Sequence, residues 1–180
     1  IEALKIEVAS EDVGAFGELR TLEEVLDCHN PYDAFALHKA ALIACGVVPF
    51  ENDGSVTLEE ILRRLGGGLF VSTQVIGIPK GSGLGTSSIL AGACVKAIFE
   101  IMGEHISEEQ LYEIVLCMEQ IMSTGGGWQE TACITENICV SDRQRHMWSC
   151  LSVSTGEAAG RTHRPIVWKK AVRWSMRQSA

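Results

Sequence analysis

The ten residues Pro79-Lys80-Gly81-Ser82-Gly83-Leu84-Gly85-Thr86-Ser87-Ser88 constrain this chain more than any other segment. They follow Leu69 to Ile78, a run rich in β-branched residues that predicts a strand, and they lead into Thr86 to Gly103, a long apolar run that predicts a helix. Three glycines at alternate positions permit a tight turn and let the backbone approach a ligand without Cβ clashes. Successive amide N–H groups in such a loop converge on an anion, and the following helix aims its unpaired N–H groups and positive dipole end at the same place. Thr86, Ser87 and Ser88 add hydroxyls for phosphate oxygens or Mg2+, and Lys80 adds a positive charge. This chemistry suits a nucleoside triphosphate. No Gly-Lys-Ser/Thr closes the loop, which excludes a Walker A motif. The Gly-x-Gly-x-Gly spacing also departs from the dinucleotide fingerprint.

A second segment complements the first. Glu119 stands near the end of a predicted helix, followed by the turn Ser123-Thr124-Gly125-Gly126-Gly127 and by Glu130. A carboxylate at a helix C-terminus opposes the dipole unless a positive partner is near. A bound Mg2+ is such a partner. Two carboxylates joined by a turn suit phosphoryl transfer, one holding metal and one orienting or deprotonating the attacking hydroxyl.

The remaining elements frame these two. Leu4 to Val8 alternates as a half-buried strand. Thr21-Leu22-Glu23-Glu24 predicts a capped helix start, as does Thr57-Leu58-Glu59-Glu60 for a short helix through Leu65. Tyr32 to Cys45 predicts a helix, with Pro31 at its first turn and Gly46 stopping it. Asn52-Asp53-Gly54 predicts a turn. Ser107-Glu108-Glu109-Gln110 caps a helix that packs through Leu111, Ile114, Val115 and Met118 to about Met122. From Ser141 onward no sustained period is visible.

Composition narrows the function class. The 180 residues are 46% hydrophobic, enough for a cored domain and too apolar for disorder throughout. No apolar run is long enough to span a membrane, and the start lacks signal-peptide character, so a cytoplasmic protein without membrane partners is expected. The chain lacks an initiator Met, and a piece of a longer protein is expected. Seven cysteines without a CxxC pair favour a reducing compartment, and the five histidines show no ligand spacing. Cys94 and Cys117 sit in apolar helical patterns as small hydrophobes. The net charge of −8 argues against nucleic acid as a partner. That charge is uneven: residues 1–130 carry 7 Lys/Arg against 20 Asp/Glu, and residues 131–180 carry 8 against 3.

The Gly-Ser-Gly-Leu-Gly-Thr-Ser-Ser string, continuing Ile89-Leu90-Ala91-Gly92, resembles the second motif of the GHMP kinases (galactokinase, homoserine kinase, mevalonate kinase and phosphomevalonate kinase), and looks most like the L-fucokinases, including the kinase part of the bifunctional fucokinase/GDP-fucose pyrophosphorylases. The resemblance covers roughly residues 30–130. It implies an α+β fold, the GHMP N-terminal domain with a mixed sheet backed by helices, cut before a C-terminal domain. It implies a kinase that uses ATP and Mg2+ to phosphorylate the anomeric hydroxyl of L-fucose. Pro79 to Ser88 would bind the phosphates, with Lys80 acting in catalysis. Mg2+ would be held by Glu119 and by a serine after the Gly-Leu-Gly, Ser87 in preference to Ser88. Members of this family carry a catalytic Asp eleven residues after the metal-binding Glu, and here that position is Glu130. Fucokinases and heptose kinases read Gly-Gly-x-Gln-Asp-Gln at the turn, and this chain reads Gly126-Gly127-Trp128-Gln129-Glu130-Thr131. A heptose-phosphate kinase and a truncated, non-catalytic nucleotide-binding fragment are the alternatives. The resemblance is lost after Glu130, so residues 131–180 are expected to be an irregular tail foreign to the kinase, as from a reading-frame change, a retained intron or a mistaken gene model.

Overall fold

The computed structural model describes residues 4–30, 32–76 and 86–124, together with the backbone of three strands between 138 and 175. Strand β1 (Ile6–Ser10) runs antiparallel to β2 (Ala15–Leu19) and parallel to β3 (Gly68–Thr73). Strands β4 (Ile138–Asp142), β5 (Trp148–Val153) and β6 (Lys170–Ser175) extend the sheet, giving the order β2-β1-β3-β6-β5-β4. Helices α1 (Leu22–Leu26), α2 (Ala36–Ala44) and α3 (Leu58–Leu65) connect β2 to β3. Helices α4 (Thr86–Met102) and α5 (Glu108–Ile121) follow. The fold is α+β with a mixed sheet, as the resemblance implies.

Period-2 patterning sets β1. Ile6 and Val8 are fully buried, each contributing about 2 kcal/mol of apolar transfer free energy. The sheet's other face is polar here: Glu7 lies directly opposite Glu18. That like-charge pair is reconciled by Lys5, which bridges both carboxylates, and by Arg20 at 2.5 Å from Glu18. At the start of β3, a Cβ on Gly68 would lie 2.9 Å from the Lys5 carbonyl oxygen, the same oxygen that accepts from the Leu69 N–H. Glycine is therefore what lets β3 close on β1.

The helices begin where their caps dictate. Thr21, Thr57 and Ser107 each accept from the backbone N–H three residues on, and Glu24, Glu60 and Gln110 reach back to complete capping boxes. Helix α2 starts later than its apolar pattern predicts. The Asn30 side chain accepts from the Tyr32 N–H at 3.0 Å and Asp33 from the Phe35 N–H at 2.8 Å. These local bonds hold the chain in turns up to Phe35, and Tyr32 is 94% exposed. Pro31 lies outside the described residues.

Strand β2 lies outside the sequence-based expectations: it has no clean alternation, because Gly17 interrupts it beside the Phe35 ring. One further expectation is corrected. Cys117 is exposed rather than packed, while Cys28, Cys45 and Cys94 are buried. The described parts of 131–180 are three short strands. Five or six residues are too short for a period to register, and β6 finds its partner β3 about a hundred residues away in sequence.

Candidate phosphoryl-transfer site

Two helices carry the described part of the site. Helix α4 is apolar almost all round and buried along most of its length. Its Ser88, Ala91, Val95 and Ile98 fall on one helical face, each at most 2% exposed. Helix α5 buries Leu111, Val115 and Met118, and Glu119 follows on the same stripe, four residues after Val115 and eight after Leu111. The period thus drives a carboxylate into the core, where it is 6% exposed.

Helix packing brings these two faces together. The Ser88 hydroxyl donates to Glu119 Oε1 at 2.7 Å, and the bond is buried. Glu119 Oε2 has no hydrogen-bond partner among the described residues. Ser88 lies in the first turn of α4, so the carboxylate faces the positive end of that helix, offsetting the negative end of its own. A buried carboxylate with one oxygen left unpartnered costs on the order of a few kcal/mol. A cation, a water or a further donor would offset that cost.

The end of α5 fixes Glu119 through its backbone. The Ser123 N–H bonds the Gln120 carbonyl at 3.0 Å and the Thr124 N–H bonds the Glu119 carbonyl at 3.1 Å. This is a Schellman turn, with Ser123 in the left-handed region at φ 56° where glycine is usual. The Thr124 hydroxyl donates to the same Glu119 carbonyl at 3.2 Å. Chain direction immediately before Gly125-Gly126-Gly127 is thereby set.

The other sequence-assigned residues fall as follows. Thr86 is half-buried and Ser87 exposed on the first turn of α4, and it is Ser88 that meets Glu119. Pro79, Lys80, Gly81, Ser82, Gly83, Leu84, Gly85 and Glu130 lie outside the described residues. Among the described residues no three His, Cys, Asp or Glu side chains converge as a metal cage. No described helix is long and apolar enough to cross a membrane. The burial of Glu119 was legible in the sequence from one signal, the acid occupying an apolar-face position of α5, whereas its serine partner was not.

Comparison with known proteins bears on family and fold. The family described as GHMP kinases N terminal domain matches residues 55–136. An L-fucokinase/L-fucose-1-P guanylyltransferase of Bacteroides fragilis is 39% identical over 126 residues, 69% of this chain and 13% of that protein. A bifunctional fucokinase/GDP-fucose pyrophosphorylase of Arabidopsis thaliana is 40% identical over 112 residues, 61% of this chain and 10% of that protein. The chain thus spans a small part of the curated relatives it matches. Two solved mevalonate kinases share the fold. One aligns with a TM-score of 0.56 and 17% identity, covering 77% of this chain and 40% of that one. The Methanococcus jannaschii enzyme aligns with a TM-score of 0.55 and 18% identity, covering 75% of this chain and 38% of that one.

Proposed function

The chain carries a GHMP kinase N-terminal domain, and from that premise we propose that it is the nucleotide-binding part of a sugar kinase that transfers the ATP γ-phosphoryl group to the anomeric hydroxyl of L-fucose. The reading is carried by the buried Ser88–Glu119 pair with its unpartnered carboxylate oxygen, set at the N-terminal turn of the helix that follows the glycine loop.

The donor set fits Mg2+. It is all oxygen, and Mg2+ in such kinases rests on one or two carboxylates together with substrate phosphates and water, without a full protein cage. Glu119 would hold the ion through Oε2, with a hydroxyl from Ser88 or Ser87. The bound ion would neutralise charge on the β- and γ-phosphate oxygens.

The chain's own groups divide the remaining work. Backbone N–H groups of Gly81 to Gly85 and the start of α4 bind phosphate oxygens, and Lys80 places a positive charge beside them. Thr86 and Ser87, on the more exposed side of that turn, donate hydroxyl protons to phosphate. Glu130 orients the attacking sugar hydroxyl and takes its proton. Catalysis of this kind is positioning and charge stabilisation.

One departure favours a second reading. Glu130 extends one methylene beyond the aspartate of related kinases, and a misplacement near 1 Å can cost about 100-fold in rate. A chain that binds Mg-ATP without turnover fits that change.

Calorimetric titration of the chain with Mg-ATP, beside Gly83→Val, tests the reading. Binding in the wild type that is lost in the variant supports the loop, and a fucose phosphorylation assay then separates kinase from binding fragment. A folded wild-type chain that takes up no Mg-ATP sinks both readings.

A further inference from the structure

The route from β3 into the glycine loop is held by a turn that the catalytic reading does not use. Strand β1 ends at Ser10, which pairs with Thr73, the last residue of β3. The chain then makes a single 3-10 turn, Glu11–Val13, closed by Gly14 at φ 63° with its N–H on the Glu11 carbonyl at 3.2 Å. Nothing in this turn is buried, and Val13 is 50% exposed. Core packing therefore does not explain its shape. Its two acids instead reach across to the neighbouring strand. Glu11 Oε1 accepts from the Ser72 hydroxyl at 3.1 Å, and Asp12 Oδ1 accepts from the Val75 N–H at 2.6 Å. The two bonds bracket Thr73, one on the Ser72 side chain and one on the Val75 backbone, on either side of the last ladder position.

We propose that Glu11 and Asp12 are positioning residues for the nucleotide loop, fixing the backbone at residues 74–76, where the chain leaves β3 and Lys80 follows five residues after Val75 in sequence. The inference rests on the nucleotide-binding reading for its functional half. Its physical half stands alone: β3 ends at Thr73, and Asp12 supplies the acceptor for the Val75 N–H beyond it. Ordering the entry to a loop before a ligand arrives lowers the entropy lost on binding. Asp12 matters more than Glu11, because its bond is shorter and holds backbone rather than a side chain.

The test uses the whole chain as wild type, Asp12→Ala and Asp12→Asn. The last keeps a neutral acceptor oxygen. Amide hydrogen exchange without ligand is read by segment, and Mg-ATP affinity by calorimetry. The expected result is exchange about tenfold faster at residues 74–76 in Asp12→Ala, as for loss of one charge-assisted hydrogen bond, with α5 exchange less affected and the melting temperature lowered by no more than a few degrees. Asp12→Asn should restore most of the protection, and Mg-ATP affinity should fall several-fold in Asp12→Ala alone. Unchanged exchange at 74–76 overturns the proposal. Faster exchange with full Mg-ATP affinity overturns its functional half. If the wild type binds no Mg-ATP while exchange responds as expected, the nucleotide reading fails and the clamp stands.

Discussion

Lys39 and Glu119 are both buried ionisable groups on helices of one core, and they are completed in opposite ways. Lys39, on α2, places its ammonium 2.7 Å from Asp33 Oδ2 and donates to the Asp27 carbonyl at 3.0 Å. Its charge is answered within the fold, and it pins the turns before α2 to the helix. Glu119, on α5, is answered on one oxygen by Ser88 and on the other by nothing among the described residues. The first arrangement is what a structural ion pair needs, with each charge desolvated and partnered. The second leaves a carboxylate oxygen available beside a helix N-terminus. Burial alone therefore does not separate these two groups, and the completeness of their hydrogen bonding does.

The largest expected effect comes from breaking the satisfied side. Lys39→Met leaves the Asp33 carboxylate and Asp27 carbonyl without their partner and should destabilise the chain by about 3 kcal/mol in urea unfolding. Mg-ATP affinity, measured below the transition, should be unchanged. A variant that unfolds normally but loses nucleotide would remove the distinction between the two groups.

Glu119→Gln tests the other side. It keeps the shape and an acceptor for Ser88 while removing the charge. Mg-ATP affinity should drop about tenfold or more, equal to about 1.4 kcal/mol, with stability altered by less than about 1 kcal/mol. Loss of stability with intact affinity would place Glu119 beside Lys39 as a purely structural group.

Thr57→Ala provides a calibration away from both groups. Loss of the α3 cap should cost about 1 kcal/mol without altering nucleotide affinity. It also carries a pH signature. Bonds from the Thr57 backbone and then its hydroxyl hold Glu60 below its ordinary pKa of 4.5. A carboxyl depressed in the folded state binds its proton less readily there than in the unfolded chain. Its stabilisation is therefore full above pH 4.5 and fades as pH falls through the lower folded value. Stability of Thr57→Ala, measured against pH, should show a shallower loss on that acid limb than the wild type.

The smallest effect concerns the turn that holds Glu119. Ser123→Gly relieves a left-handed backbone that costs an L-residue about 1 kcal/mol. It should raise the melting temperature slightly. Unchanged Mg-ATP affinity would show that the turn needs only its conformation, and weakened affinity would assign the serine side chain a part in the site.

Much of this was legible beforehand because it depends on neighbours in sequence. Capping boxes at Thr21, Thr57 and Ser107 act over three residues, and the apolar stripes of α4 and α5 repeat within each helix. The late start of α2 was harder to read, since the Asn30 and Asp33 side chains compete with helical bonding over the same stretch. Strand β2 and the strands after residue 137 were not legible, because each is short and takes its stability from partners elsewhere in the chain.

By itself the sequence determined the helix starts, the glycine loop between strand and helix, and the presence of an acid on an apolar stripe. Only tertiary structure decided which serine meets that acid. Ser87 and Ser88 are adjacent, and on a helix adjacent residues point about 100° apart. Local chemistry is the same for both. The packing of α5 against α4 chose Ser88, since the buried face of one helix is defined only by the helix laid across it.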